Sequence, residues 1–118
     1  MRCLSVYMTA ERSTPPTDQH MADMGKLIES GMKAGWLIST EGCLPSALGA
    51  RIRSTDGTVT VNDGPFTESK EMIGGFAIIE AKTKTEAIQL TKDFLRVADA
   101  DGVCELRQLY EAPPQTTR

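Results

Sequence analysis

The dipeptide Asp56-Gly57 lies between two runs of alternating character, residues 50–54 (ARIRS) and 58–62 (TVTVN). A short connection between alternating runs needs positive backbone φ, which Gly accepts without steric penalty. The middle of the chain is therefore read as a β-hairpin, and what remains on either side must fold around it.

Each flank reads as strand, helix, strand. Residues 1–8 (MRCLSVYM) mix β-branched, aromatic and apolar types with apolar character on both faces, as in an interior strand. A polar connection ends in Thr14-Pro15-Pro16. Thr14 fits a helix N-cap with Pro at the first helical position, and Thr17 is a competing start. Met21, Met24, Ile28 and Met32 then recur at helical spacing, with Leu27 beside them, up to a C-terminal Gly35. These Met residues read as core filler. Residues 36–39 (WLIS) form a second strand, followed by a turn region at 41–45 (EGCLP).

In the second flank, Gly74-Gly75 opens into a strand at 76–80 (FAIIE). Thr83 and Glu86 form an S/T-x-x-E capping box, and Ala87, Ile88, Thr91, Phe94, Leu95 and Ala98 make one apolar stripe behind it. Residues 99–102 (DADG) end that helix, and 103–110 (VCELRQLY) alternate as a closing strand.

The order β-α-β, inserted β-hairpin, β-α-β is an α+β, ferredoxin-like plan: an antiparallel sheet with two helices on one face. Apolar residues on both faces of three strands leave the second sheet face in need of cover. A second copy of the chain is the expected cover, giving a homodimer. With 118 residues and 40% hydrophobic composition, residues 1–112 are expected to form a single domain and 113–118 a flexible tail.

A net charge of -3 and a pI near 5.1 exclude a basic face, so nucleic acid is not an expected partner. Cys3, Cys43 and Cys104 show no metal-ligand spacing and read as buried, inert thiols in a reducing compartment. A disulfide between Cys3 and Cys104 on adjoining strands is disfavoured by geometry. No metal or cofactor is expected. The apolar stretch near the start is too short for a signal peptide, and no run reaches the ~20 residues of a membrane span, so a cytoplasmic location is expected.

The segment from Asp63 to Glu71 (DGPFTESKE) concentrates informative residues. Pro65 fixes its own φ and pushes Gly64 away from helical geometry, while Asp63 can accept a backbone N–H one or two residues on. Phe66 is either an anchor under the loop or the wall of a pocket. Glu68, Lys70 and Glu71 bring both charge signs together. The segment reads as a rigid turn with an Asp cap, or as a shaped loop presenting Asp63 and Lys70 to a cavity for acid–base work.

The sequence VNDGPFTESKEMIGGF at 61–76 closely resembles the namesake motif of the DGPF branch of the YCII-related family. Further stretches are similar to that family: Gly35-Trp36-Leu37 with 41–45 (EGCLP), 49–53 (GARIR), Glu86-Ala87, and Glu105-Leu106-Arg107. Cys43 stands where many relatives carry Leu. The resemblance implies a dimeric α/β barrel with a cleft near the motif, a small-molecule ligand, and a role beside alternative sigma factors as protein partners. It also implies, through relatives that look like lyases or dehalogenases, a His–Asp acid–base pair.

His20 is the only histidine and lies in the first turn of the first helix, though its neighbours Thr17-Asp18-Gln19 depart from the family pattern. His20 and Asp63 are thus the candidate catalytic residues. Gly64, Pro65, Phe66, Glu68, Lys70 and Arg51 are candidate ligand contacts, Arg51 sharing a strand face with Arg53 from which an anion could be gripped. Two functions follow: a homodimeric ligand-binding or accessory module, or a cofactor-independent lyase, isomerase or hydrolase using Asp63 as acid and base.

Overall fold

A computed structural model of the chain describes residues 1–11, 15–65, 72–98 and 101–111. Among the described residues, six strands and two helices follow the expected order: β1 Arg2–Thr9, α1 Asp18–Ala34, β2 Leu37–Gly42, β3 Ala50–Thr55, β4 Thr58–Asp63, β5 Met72–Glu80, α2 Lys84–Ala98 and β6 Val103–Gln108, with a 3-10 turn at Ser46–Leu48. Four strands form an antiparallel sheet in the order β2-β5-β1-β6, the strand order of a ferredoxin-like sheet. β3 and β4 form a separate two-stranded ribbon.

Local chemistry explains where the elements start and stop. Thr17 caps α1, its hydroxyl accepting the His20 N–H at 3.1 Å, so the competing start prevails over Thr14. Thr14 itself lies outside the described residues. The helix stops at Gly35, whose φ of 86° is one that a Cβ would disfavour. In α2 the Thr83 hydroxyl accepts the Glu86 N–H at 3.1 Å. The ribbon turns through Asp56 and Gly57 with φ of 51° and 80°, the double positive φ of a tight hairpin turn.

β5 starts four residues earlier than the sequence reading placed it, running through Gly74-Gly75 instead of after them. A Cβ at Gly75 would lie 2.7 Å from the Glu41 carbonyl oxygen of β2, and one at Gly74 3.2 Å from the Tyr7 ring of β1. The two glycines let β5 pass closely between its neighbours, next to the register shift in β1 between Tyr7 and Met8.

Both helices lie on one face of the sheet. Cys3, Leu37, Ile79, Ala81 and Ala87 form the buried core, with Ile28 of α1 and Leu90 of α2 packed against it. The inward face of α1 is Met24, Leu27, Ile28 and the buried Gly31, whereas Met21 and Met32 are 60% and 49% exposed and do not fill the core. The reason lies in Trp36: a Cβ at Gly31 would meet its indole at 2.7 Å, so the helix turns this glycine, and not Gly25, toward the ring. On α2, Leu90 takes the inward place expected of Ile88, which is 38% exposed.

The odd residues of β1 face the helices: Cys3 and Ser5 are buried, and Tyr7 meets Phe94 of α2 edge to face. Its even residues therefore face away. Register pairs Leu4 with Ile78, Val6 with Phe76, and Met8 with both Ile73 and Val103, which makes the outer sheet face apolar along its centre. No helix among the described residues is long and apolar enough to cross a membrane.

Candidate functional site

β1 leads directly to a hollow. At its C-terminal end Tyr7, Thr9, Ala10, Glu11, His20, Met24, Cys43, Met72 and Phe94 help to line an open hollow of about 340 Å3. His20 reaches it because Thr17 fixes the first turn of α1, and Met24 follows one turn later on the same side. His20 is half-buried there. Cys43 is exposed at the wall rather than buried, and its backbone N–H is tied to the Gly74 carbonyl at 2.9 Å. The other two thiols are also free: Cys3 is buried opposite Gln108, and Cys104 lies opposite Tyr7. Burial raises the Cys104 pKa, partly offset by the Ser5 hydroxyl.

The charged group held most firmly at the hollow is Glu11. Its carboxylate accepts the Ser46 hydroxyl at 2.5 Å and the Ser46 backbone N–H at 2.6 Å. The hydroxyl, and then the N–H, hold its pKa below the ordinary value of 4.5, so it is an anion at neutral pH. Ser46 begins the 3-10 turn, and its carbonyl accepts the Gly49 N–H at 2.9 Å.

The Asp63 loop meets the hollow through that turn. Gly64 donates its N–H to the Gly49 carbonyl at 3.0 Å, and any Cβ at Gly64 would collide with the Ser46 carbonyl. Only glycine lets the ribbon's exit pass so close to the turn. The Gly64-Pro65 peptide is cis. Asp63 itself is exposed at the end of β4 opposite Ala50, and Arg51 is exposed on β3 opposite Asn62. Neither lines this hollow or the cavity behind it. Phe66, Glu68 and Lys70 lie outside the described residues.

The structure thus brings His20, Glu11 and Cys43 to one hollow and sets Asp63 and Arg51 on the ribbon beside it. Sequence reading missed Glu11, Ser46, Tyr7 and Phe94 as site residues. The first two meet 35 residues apart through a loop contact that leaves no periodic trace. Tyr7 was visible only as one apolar strand position, and Phe94 only as part of a helix stripe.

A second cavity of about 190 Å3 lies between the helices and the sheet, and Tyr7, Met24, Gly74 and Phe94 line both spaces. The rings of Tyr7 and Phe94 stand at their junction, with centroids 5.2 Å apart and planes at 82°. Among the described residues, no group of three or more His, Cys, Asp or Glu is placed to hold a metal ion.

A small α+β domain with a ferredoxin-like strand order, and a two-part cleft between its helices and sheet, is the class this architecture defines. The chain belongs to the YCII-related domain family, whose pattern matches residues 1–113. It is also 28% identical over 102 residues to an uncharacterized protein of Rhizobium meliloti (strain 1021), across 86% of this chain and 82% of that protein.

Proposed function

We propose that this YCII-related chain is a homodimeric small-molecule-binding module of the DGPF branch, with the His20 hollow as the polar entrance of its site. The observation that carries the reading is the convergence of His20, Glu11 and Cys43 on one hollow that shares a wall with an apolar cavity. A few polar groups over an apolar lining is the usual make-up of a small-molecule site. The Asp63 loop enters this reading as a support. It braces the Ser46 turn, and the turn orients Glu11.

The homodimer reading is supported by the outer sheet face, where Leu4, Val6, Phe76 and Ile78 lie side by side across β1 and β5. The sigma-factor partner rests on the family resemblance, and co-purification of such a factor with the intact chain is its test.

The site is tested by a thermal-shift screen of metabolite-like compounds on the wild type, His20→Gln and Asp63→Asn. A stabilising compound is expected to lose its effect in His20→Gln and keep it in Asp63→Asn. A hit lost only in Asp63→Asn would move the site to the ribbon and revive acid–base use of Asp63.

A further inference from the structure

We infer that the cavity between the helices and the sheet is a binding pocket for a compact apolar group, about the size of a benzene ring with one or two added carbons. The inference rests on the small-molecule reading above and names the chemical class of that ligand's inner half.

The lining decides the class. Leu27, Ile28, Trp36, Leu37, Leu90 and Phe94 all line the cavity, and its surface is mostly apolar. Three of its hydroxyl groups are turned to other partners. Thr40 donates to the Phe76 carbonyl at 2.9 Å and Thr91 to the Ala87 carbonyl at 2.8 Å, while Ser5 is engaged with the Cys104 thiol. Among the described residues, the one charged lining residue, Glu41, is exposed. A water molecule held inside would need roughly two to four polar partners, and the largely apolar wall offers few. An apolar group needs none and gains by leaving water.

The size decides the range. An engineered cavity of about 150 Å3 lined by Leu, Ile and Phe takes up benzene. The present cavity, at about 190 Å3, has room for that ring and a little more. The junction decides the orientation. Because Tyr7 and Phe94 line both spaces, a ligand whose apolar body lies behind their ring pair points its remainder at His20 and Glu11. The pocket therefore selects molecules with a compact apolar body and a polar end, and disfavours those polar throughout.

The probes are benzene and toluene, and the reporter is built in. Trp36 is the only tryptophan and lines the pocket. Titration of the intact chain is expected to change Trp36 emission saturably and to raise Tm. Ala77→Leu and Leu90→Phe each add bulk at a lining position and are expected to weaken binding by about tenfold or more, a difference of about 1.4 kcal/mol. Two filling variants are used so that one unfolded protein does not end the test. No saturable change in the wild type, or unaltered affinity in a folded filling variant, overturns the pocket. A screening hit that depends on His20 but binds unchanged in the filling variants also overturns it, while leaving the small-molecule reading in place.

Discussion

At the scale of single residues, the decisive positions are those where two parts of the chain come within one bond of each other. Glu11 is the clearest. Its folded pKa is depressed by Ser46, so its contribution to stability is present above the ordinary value of 4.5 and is lost as pH falls through the lower folded value. Wild type is therefore expected to be more stable than Glu11→Gln near pH 7, with the difference shrinking below about pH 4.5. Thermal denaturation of both proteins from pH 7 to pH 3 checks this, and a constant difference would contradict it. Gly64 is the second such position. Gly64→Ala drives a methyl into the Ser46 carbonyl and is expected to destabilise by about 1–3 kcal/mol in urea unfolding, the range of forced overpacking. Its special status was legible in the sequence, because Gly before Pro signals an unusual backbone. That its neighbour would be Ser46 was not, since nothing in either stretch encodes a contact between two loops.

At the scale of elements, the termini were easier to read than the faces. Thr83, Gly35 and the Asp56-Gly57 turn act locally, through their own backbone neighbours, and behave as their residue types dictate. Thr83→Ala is expected to lower stability by about 1 kcal/mol through loss of the α2 cap, measured as a shift in the urea midpoint with an unchanged slope. The helix faces are set by partners instead. Trp36 selects Gly31 as the inward residue of α1, and the rotation that results leaves Met21 and Met32 outside. Hydrophobic spacing alone cannot separate two stripes that share Met24 and Ile28. The glycine pair in β5 misled for a related reason: glycine weakens an isolated strand, yet here it makes room for Glu41 and Tyr7.

At the scale of the whole molecule, the alternation of strands and helices was enough to give the ferredoxin-like plan, while the cleft depended on contacts between segments far apart in the chain. The outer sheet face has its own prediction. Sedimentation at micromolar concentration is expected to show a dimer, and Val6→Glu, which places a charge at the centre of that face, a folded monomer. A wild-type monomer would remove the dimer reading. The β3–β4 ribbon differs from the rest of the molecule. All its residues are exposed, and the radius of gyration is 16.5 Å, against about 13.5 Å for a compact chain of this length. A lone two-stranded ribbon has little stability of its own. Its amides are therefore expected to exchange with solvent through local opening, well ahead of those in β1 and β5, in native-state hydrogen exchange. The same independence gives the ribbon a freedom that the sheet lacks. Away from the Gly64 contact that braces the Ser46 turn, its outward side chains can be altered without repacking the core, so a change of partner or ligand preference can be written there while the cleft keeps its shape.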